Sequence, residues 1–261
     1  MRNSIIVFLF VSGMLLQACS FLPSPDDDTK NWSARKIYTE AKNSMNSGDY
    51  ENAIKFYEML EARYPFGRFA KQGQIEIAYA YYKFDEPESA IAAADRFIKL
   101  HPNHPHVDYA YYLKGLIYFN RNIGFLGRIF QQETSSRDPE SSKQAFNEFS
   151  ALIRKFPNSR YASEARLRAL FLRNNLAEHE LHVARYYMQR TAYVAVVNRC
   201  KYIIENFDQS SAVPDALDVM SQAYDKLGLP ELAKDARRVL TASYPDHSSL
   251  KKTKQSWWNP F

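Results

Sequence analysis

One pattern recurs along most of this chain and leaves few folds open to it. The segment "GDYENAIKFYEMLEARYP" (48–65) carries Gly48, Tyr50, Ala53, Tyr57, Leu60 and Pro65. The next copy, "DEPESAIAAADRFIKLHP" (85–102), has Ala90, Ala94, Phe97 and Pro102 at the same offsets. Three more follow: "SKQAFNEFSALIRKFP" (142–157), "TAYVAVVNRCKYIIENFD" (191–208) and "GLPELAKDARRVLTASYP" (228–245). In each, a small or medium residue is followed by residues four and seven positions on that share one face of a helix, the last of them large and apolar. Proline closes four of the five, because it cannot continue a helix. Upstream of each copy lies a second helical pattern with its own small and aromatic positions. These are Ala41, then Ala78 with Tyr81, Gly115 with Tyr118, Ala184 with Tyr187, and Ser221 with Tyr224. A unit of this size cannot bury its apolar face alone, so copies must stack.

Helix pairs in this register resemble the tetratricopeptide repeat in its longer variant. The resemblance implies an all-α fold, a right-handed superhelical solenoid of about five helix pairs, with a groove lined mainly by first helices. Composition agrees: only 8 glycines, aromatics at 15 %, and no β-branched alternation that reads as a strand. Two irregularities interrupt the register. An insertion, "NRNIGFLGRIFQQETSSRDPE", falls near 120–140, and one first helix runs unbroken over about 161–189.

The N-terminus is a different kind of text. Arg2 precedes an apolar run over 5–16 that is too short to span a bilayer comfortably and reads as a secretory signal. The run ends in "LQAC" (16–19), which resembles a bacterial lipobox. That resemblance implies cleavage before Cys19 and a covalent lipid on it, N-palmitoyl and S-diacylglycerol. Several acyl chains at about 0.8 kcal/mol per buried methylene hold a chain on a membrane essentially permanently. Ser20 after the cysteine implies, by the same resemblance, the outer membrane. Residues 19–33, with Pro23, Pro25 and three aspartates, then form a flexible tether.

The chemistry of known site types is missing from the sequence. There is no phosphate-binding loop, dinucleotide fingerprint or nucleophile elbow. "HPNHPH" places His101, His104 and His106 in a proline-rich connector without an accompanying cysteine or carboxylate cluster, and it is not read as a metal site. In "EHELH" (178–182), His179 and His182 are too closely spaced for the zinc-protease motif. Cys200 occupies a core position of the repeat, and no disulfide framework is expected. The net charge of +5 is scattered, which argues against nucleic acid as a partner. No cofactor is expected, and the reading is of a binding protein rather than an enzyme.

Longer strings carry a more specific resemblance. "RYPFGRFAKQGQIEIAYAYYK" (63–83), "ADRFIKLHPNHPHVDYAYYLKGL" (94–116), "RDPESSKQAFNEFSALIRKFPNSRYASEA" (137–165) and "LAEHELHVARYYMQRTAYVAVVNRCKYIIENF" (176–207) are similar to the BamD family. These are the tetratricopeptide lipoproteins of the outer-membrane β-barrel assembly machinery. The resemblance implies a lipid-anchored scaffold on the periplasmic face of the outer membrane. It implies that the later repeats (158–245) bind the periplasmic domains of the barrel-forming subunit, with Arg199 in that contact, alongside other assembly lipoproteins. It implies that the early repeats (34–157) receive the C-terminal segments of unfolded outer-membrane proteins. Candidate groove residues are Tyr64, Phe66, Arg68, Tyr79 and Tyr82, with Arg68 placed to pair with a client's terminal carboxylate. Tyr79, Tyr81 and Tyr82 span too wide an arc to face one way, so at least one is expected in the core and at least one exposed or lining the groove. The tail (246–261), with Lys251, Lys252, Lys254, Trp257 and Trp258, is particular to this chain. The alternatives are a pilotin-like lipoprotein serving a secretin or pilus, and a peptidoglycan-associated accessory protein or enzyme.

Overall fold

The computed structural model describes residues 29–121 and 139–250. Among them are ten helices and no strand: α1 (Ala34–Ser47), α2 (Tyr50–Arg63), α3 (Arg68–Lys83), α4 (Pro87–Leu100), α5 (Val107–Asn120), α6 (Pro139–Lys155), α7 (Ala162–Gln189), α8 (Tyr193–Asn206), α9 (Val213–Lys226) and α10 (Pro230–Ser243). Each helix packs on the next, and first helices also touch across repeats: α1 on α3, α3 on α5, α7 on α9. This is the expected all-α solenoid of helix pairs. The signal peptide, Cys19, most of the tether, nearly all of the insertion and the tail from Lys251 lie outside the described residues.

The four described turns inside the pairs share one device. A residue with positive φ follows the first helix: Gly48, Asp85, Thr191 and Gly228. The next amide reaches back to the last turn, as Asp49 N–H to Ser44 O, Glu86 to Tyr81, Ala192 to Tyr187 and Leu229 to Tyr224. These are Schellman closures, which satisfy carbonyls a helix end leaves free. Glycine fits at no steric cost. Asp85 and Thr191 hold the same conformation against side-chain resistance.

The repeated small and apolar positions form the core as expected. Ala53, Tyr57 and Leu60, Ala90, Ala94 and Phe97, Ala145, Phe149 and Leu152, and Val196, Cys200 and Ile203 are all buried. The last copy departs: Arg237, at the place of Tyr57, is exposed and pairs with Asp225. The core falls into three clusters, one around α1–α5, one around α5–α7 and one around α7–α10. Helix α7, 28 residues long, spans about 42 Å. Its first half, with Ala165 and Leu172, belongs to the middle cluster, and Leu176, Leu181 and Ala184 belong to the last. It is the beam that joins the two halves. Among the described residues no helix is long and apolar enough to cross a membrane.

Candidate functional site

Between pairs, the connectors follow a second rule, and one breaks it. After α4, α6, α8 and α10, three backbone hydrogen bonds step down in turn. His101 N–H bonds Phe97 O, His104 bonds His101 O, and Val107 bonds His104 O. Phe156, Ser159 and Ala162 repeat the steps, as do Phe207, Ser210 and Val213, and Tyr244, His247 and Leu250. The connector between α2 and α3 keeps only the first, Tyr64 N–H to Leu60 O at 2.9 Å. Gly67 then takes φ +110, which L side chains rarely adopt, and α3 begins early at Arg68. Where the other connectors place Asn103, Asn158, Gln209 and Asp246, this one places Phe66, 90 % exposed.

Around Phe66 the connector is tied down. The Tyr64 hydroxyl donates to Trp32 O at 2.8 Å, and Arg63 Nη1 donates to Thr29 O at 2.6 Å. The Trp32 ring stacks on Phe56 at 5.9 Å. Tyr64 is therefore half committed to structure. Arg68 is exposed, its guanidinium 4.8 Å above the Phe69 ring, and it forms no ion pair with a described residue. Helix α3 has no side-chain cap and no acidic residue in its first turn, so its end and Arg68 both favour an anion.

From that end, α3 carries aromatics along the solenoid. Tyr79 and Tyr82 meet at 6.4 Å, and the Tyr82 hydroxyl accepts from Asn120 Nδ2 at 2.7 Å. Tyr109 continues the strip from α5, with Tyr161 5.5 Å away; burial, then the neighbouring tyrosines, push its phenol above the ordinary range. Tyr81 turns the other way and donates to Glu58 Oε1 at 2.7 Å. The expectation that one of Tyr79, Tyr81 and Tyr82 is core is corrected here: all three are half-buried. The interior strip of α3 is taken by Ile75, Ile77, Ala78 and Ala80, where the two alanines let helices approach, and the rings are pushed to its margins.

Glu76 escaped the sequence reading. Its carboxylate accepts from Tyr57 OH at 2.6 Å, Gln72 Nε2 at 2.9 Å, and Tyr38 OH and Lys42 Nζ, both at 3.2 Å. Burial, then the bond to Glu76, raises the Tyr57 phenol well above its usual value; burial and the Glu76 charge take Tyr38 to about 12. One acid thus locks α1, α2 and α3 beneath the aromatic strip. The only signal was a lone glutamate in "QIEIAYA" between buried apolar residues.

Arg199 sits far along the chain, exposed on α8 beside an inner face of Val196, Cys200 and Ile203, each 0 % exposed. Its Nη1 donates to Glu180 Oε2 of α7 at 2.9 Å, so it is held by this chain rather than reaching freely outward. Glu180 and His179 line a cleft of about 150 Å³ with Leu176, Tyr202 and Phe207. His182 is exposed. In the α4–α5 connector, His101 Nε2 meets Gln74 Oε1 at 2.7 Å, and Phe97 packs on His101 and His104. Burial lowers the pKa of both imidazoles. In this connector His101 and His104 serve local packing.

Two comparisons bear on this arrangement. The family described as "YfiO: Outer membrane lipoprotein" matches residues 30–240. Curated relatives named "Outer membrane protein assembly factor BamD" are similar over most of the chain. The one from Neisseria meningitidis serogroup B is 44 % identical, covering 97 % of this chain and 97 % of that protein. Those from Xylella fastidiosa (strain 9a5c) and Vibrio cholerae are 38 % and 34 % identical, covering 82 % and 87 % of this chain and 74 % and 92 % of theirs.

Proposed function

Since the chain belongs to the YfiO family of outer membrane lipoproteins, we propose that it is a scaffold subunit of the machinery that folds and inserts outer-membrane proteins. The observation that carries this reading is the kinship, over nearly its full length, with outer membrane protein assembly factors. A stack of helix pairs supplies long surfaces and little chemistry, which suits a docking role.

On this reading Cys19 carries the lipid that holds the protein on the periplasmic face of the outer membrane. The later repeats dock the barrel-forming subunit through α8. Arg199 exchanges Glu180 for, or shares it with, an acidic residue of that partner. An arginine already oriented by a carboxylate of the neighbouring helix costs less to place. The early repeats receive client C-termini. Phe66, Tyr79 and Tyr82 offer apolar surface to an aromatic side chain, and Arg68 takes the terminal carboxylate, a charge-assisted bond of roughly 1.5–3 kcal/mol. Tyr64 holds the connector in place for it.

Affinity purification from outer membranes tests the scaffold role. The wild-type chain is expected to bring down the barrel-forming assembly subunit, and Arg199→Glu to bring down less without losing helicity. Recovery of a secretin or of peptidoglycan fragments instead would assign the chain to another system.

A further inference from the structure

The edge at which the chain enters the solenoid gathers basic side chains on the fold itself, just after the aspartates of the tether, Asp26, Asp27 and Asp28, in the sequence. The first turns of α2, α4, α5, α6, α7, α9 and α10 each hold an acidic residue. Those of α1, α3 and α8 hold none; α1 and α3 hold basic residues there instead, Arg35 and Lys36, and Arg68 and Lys71. Lys30 precedes α1. Lys30, Arg35, Lys36, Arg68 and Lys71 are all exposed, and none forms an ion pair with a described residue. Elsewhere in the described chain some exposed cations, such as Lys55, Arg96, Lys201 and Lys234, are paired, and others, such as Lys99, Lys143 and Lys226, are not; what sets this edge apart is that its five lie together. The two starts share one edge, because α1 packs on α3 and Tyr64, just before α3, bonds Trp32, just before α1.

The tether joins the fold at this same edge. Arg63 and Tyr64 bond the carbonyls of Thr29 and Trp32 and fix where the tether begins. A chain from Cys19 to Thr29 reaches at most ~35 Å when fully extended. We propose that this basic edge, formed by Lys30, Arg35, Lys36 and Lys71, lies against the anionic headgroups of the lipid surface that holds the anchor. It rests on the lipid-anchor reading of Cys19 and goes beyond it: lipid fixes position, and the edge fixes orientation. Basic residues beside an anionic leaflet are attracted within a Debye length, about 8–10 Å. The connector with Phe66 and Arg68 lies on the same edge, so client ends are received next to the membrane that they enter.

The mature chain carrying Cys19→Ala, which cannot be lipidated, tests the edge alone. It is mixed with vesicles of phosphatidylcholine alone or with phosphatidylglycerol added, and sedimented. We expect at least tenfold stronger binding to the anionic vesicles, falling as salt rises. The variant Lys30→Glu/Arg35→Glu/Lys71→Glu, which spares the Lys36–Trp32 stacking, is expected to lose at least tenfold while keeping its helicity and its crosslinking to client peptides. Equal binding to both vesicle types, or binding that survives the triple reversal, overturns the proposal. Mass analysis of Cys19 in the wild-type protein is read separately: an unlipidated cysteine removes the anchor reading and leaves the vesicle result standing.

Discussion

Among the described glycines, Gly115 leaves the least room for a side chain. A Cβ there would lie 2.5–2.9 Å from the ring of Phe149, which is 0 % exposed and has nowhere to go. Gly115→Ala gains about 1 kcal/mol of helix propensity and loses more to overpacking. We expect a net destabilisation of about 1–2 kcal/mol, read from the urea midpoint. Cys200 makes a different prediction. Burial pushes its thiol up to about 12, the opposing pull of Arg185 being smaller. The thiolate is the reactive form, so alkylation of Cys200 is expected only on opening, at a rate that rises with denaturant in step with unfolding. Fast alkylation of the native protein would remove Cys200 from the core. The sequence showed both residues as repeat positions. It did not show that Gly115 faces a phenyl ring, because that depends on how α5 sits on α6.

Helices α1–α3 stand or fall with Glu76. Removing its carboxylate leaves the Tyr57 hydroxyl, on a side chain 2 % exposed, without an acceptor. An unsatisfied buried polar group costs about 1–3 kcal/mol. Glu76→Ala is therefore expected to lower stability by about 2–3 kcal/mol. Glu76→Gln should cost less, since an amide oxygen still accepts. The double variant with Tyr57→Phe should fall short of the sum of the singles, because the two share one bond. Additive losses in thermal or urea unfolding would break the hub. Helix ends were legible at this scale: Pro65, Pro102, Pro157 and Pro245 each follow one within two residues. The hub was not, since Tyr38, Lys42, Tyr57 and Gln72 converge on Glu76 through side-chain directions that no spacing in the chain records. Turns at Asp85 and Thr191 were hidden for a related reason: the backbone imposes a positive φ on residues that do not advertise it.

Across the molecule, the two candidate sites sit on different parts of the stack. Arg68 belongs with the α1–α5 core and Arg199 with the α7–α10 core, joined through α7. Each pair in such a stack feels mainly its neighbours. Arg68→Glu is thus expected to weaken client capture while leaving co-purification of the partner unchanged, and Arg199→Glu to do the reverse. The repeat made the solenoid readable from the sequence, and "RYPFG" drew attention to the connector between α2 and α3. What makes that connector different became visible only against the other four: a missing pair of backbone steps, a glycine at φ +110, and a phenylalanine presented where they place polar residues. The most direct measurement of the client-receiving role is photocrosslinking of the full chain to a peptide ending in phenylalanine, with its C-terminus free or amidated. The account predicts that the free peptide crosslinks about tenfold more strongly and that Arg68→Glu abolishes the difference. Equal crosslinking of the two peptides by the wild-type protein would contradict it.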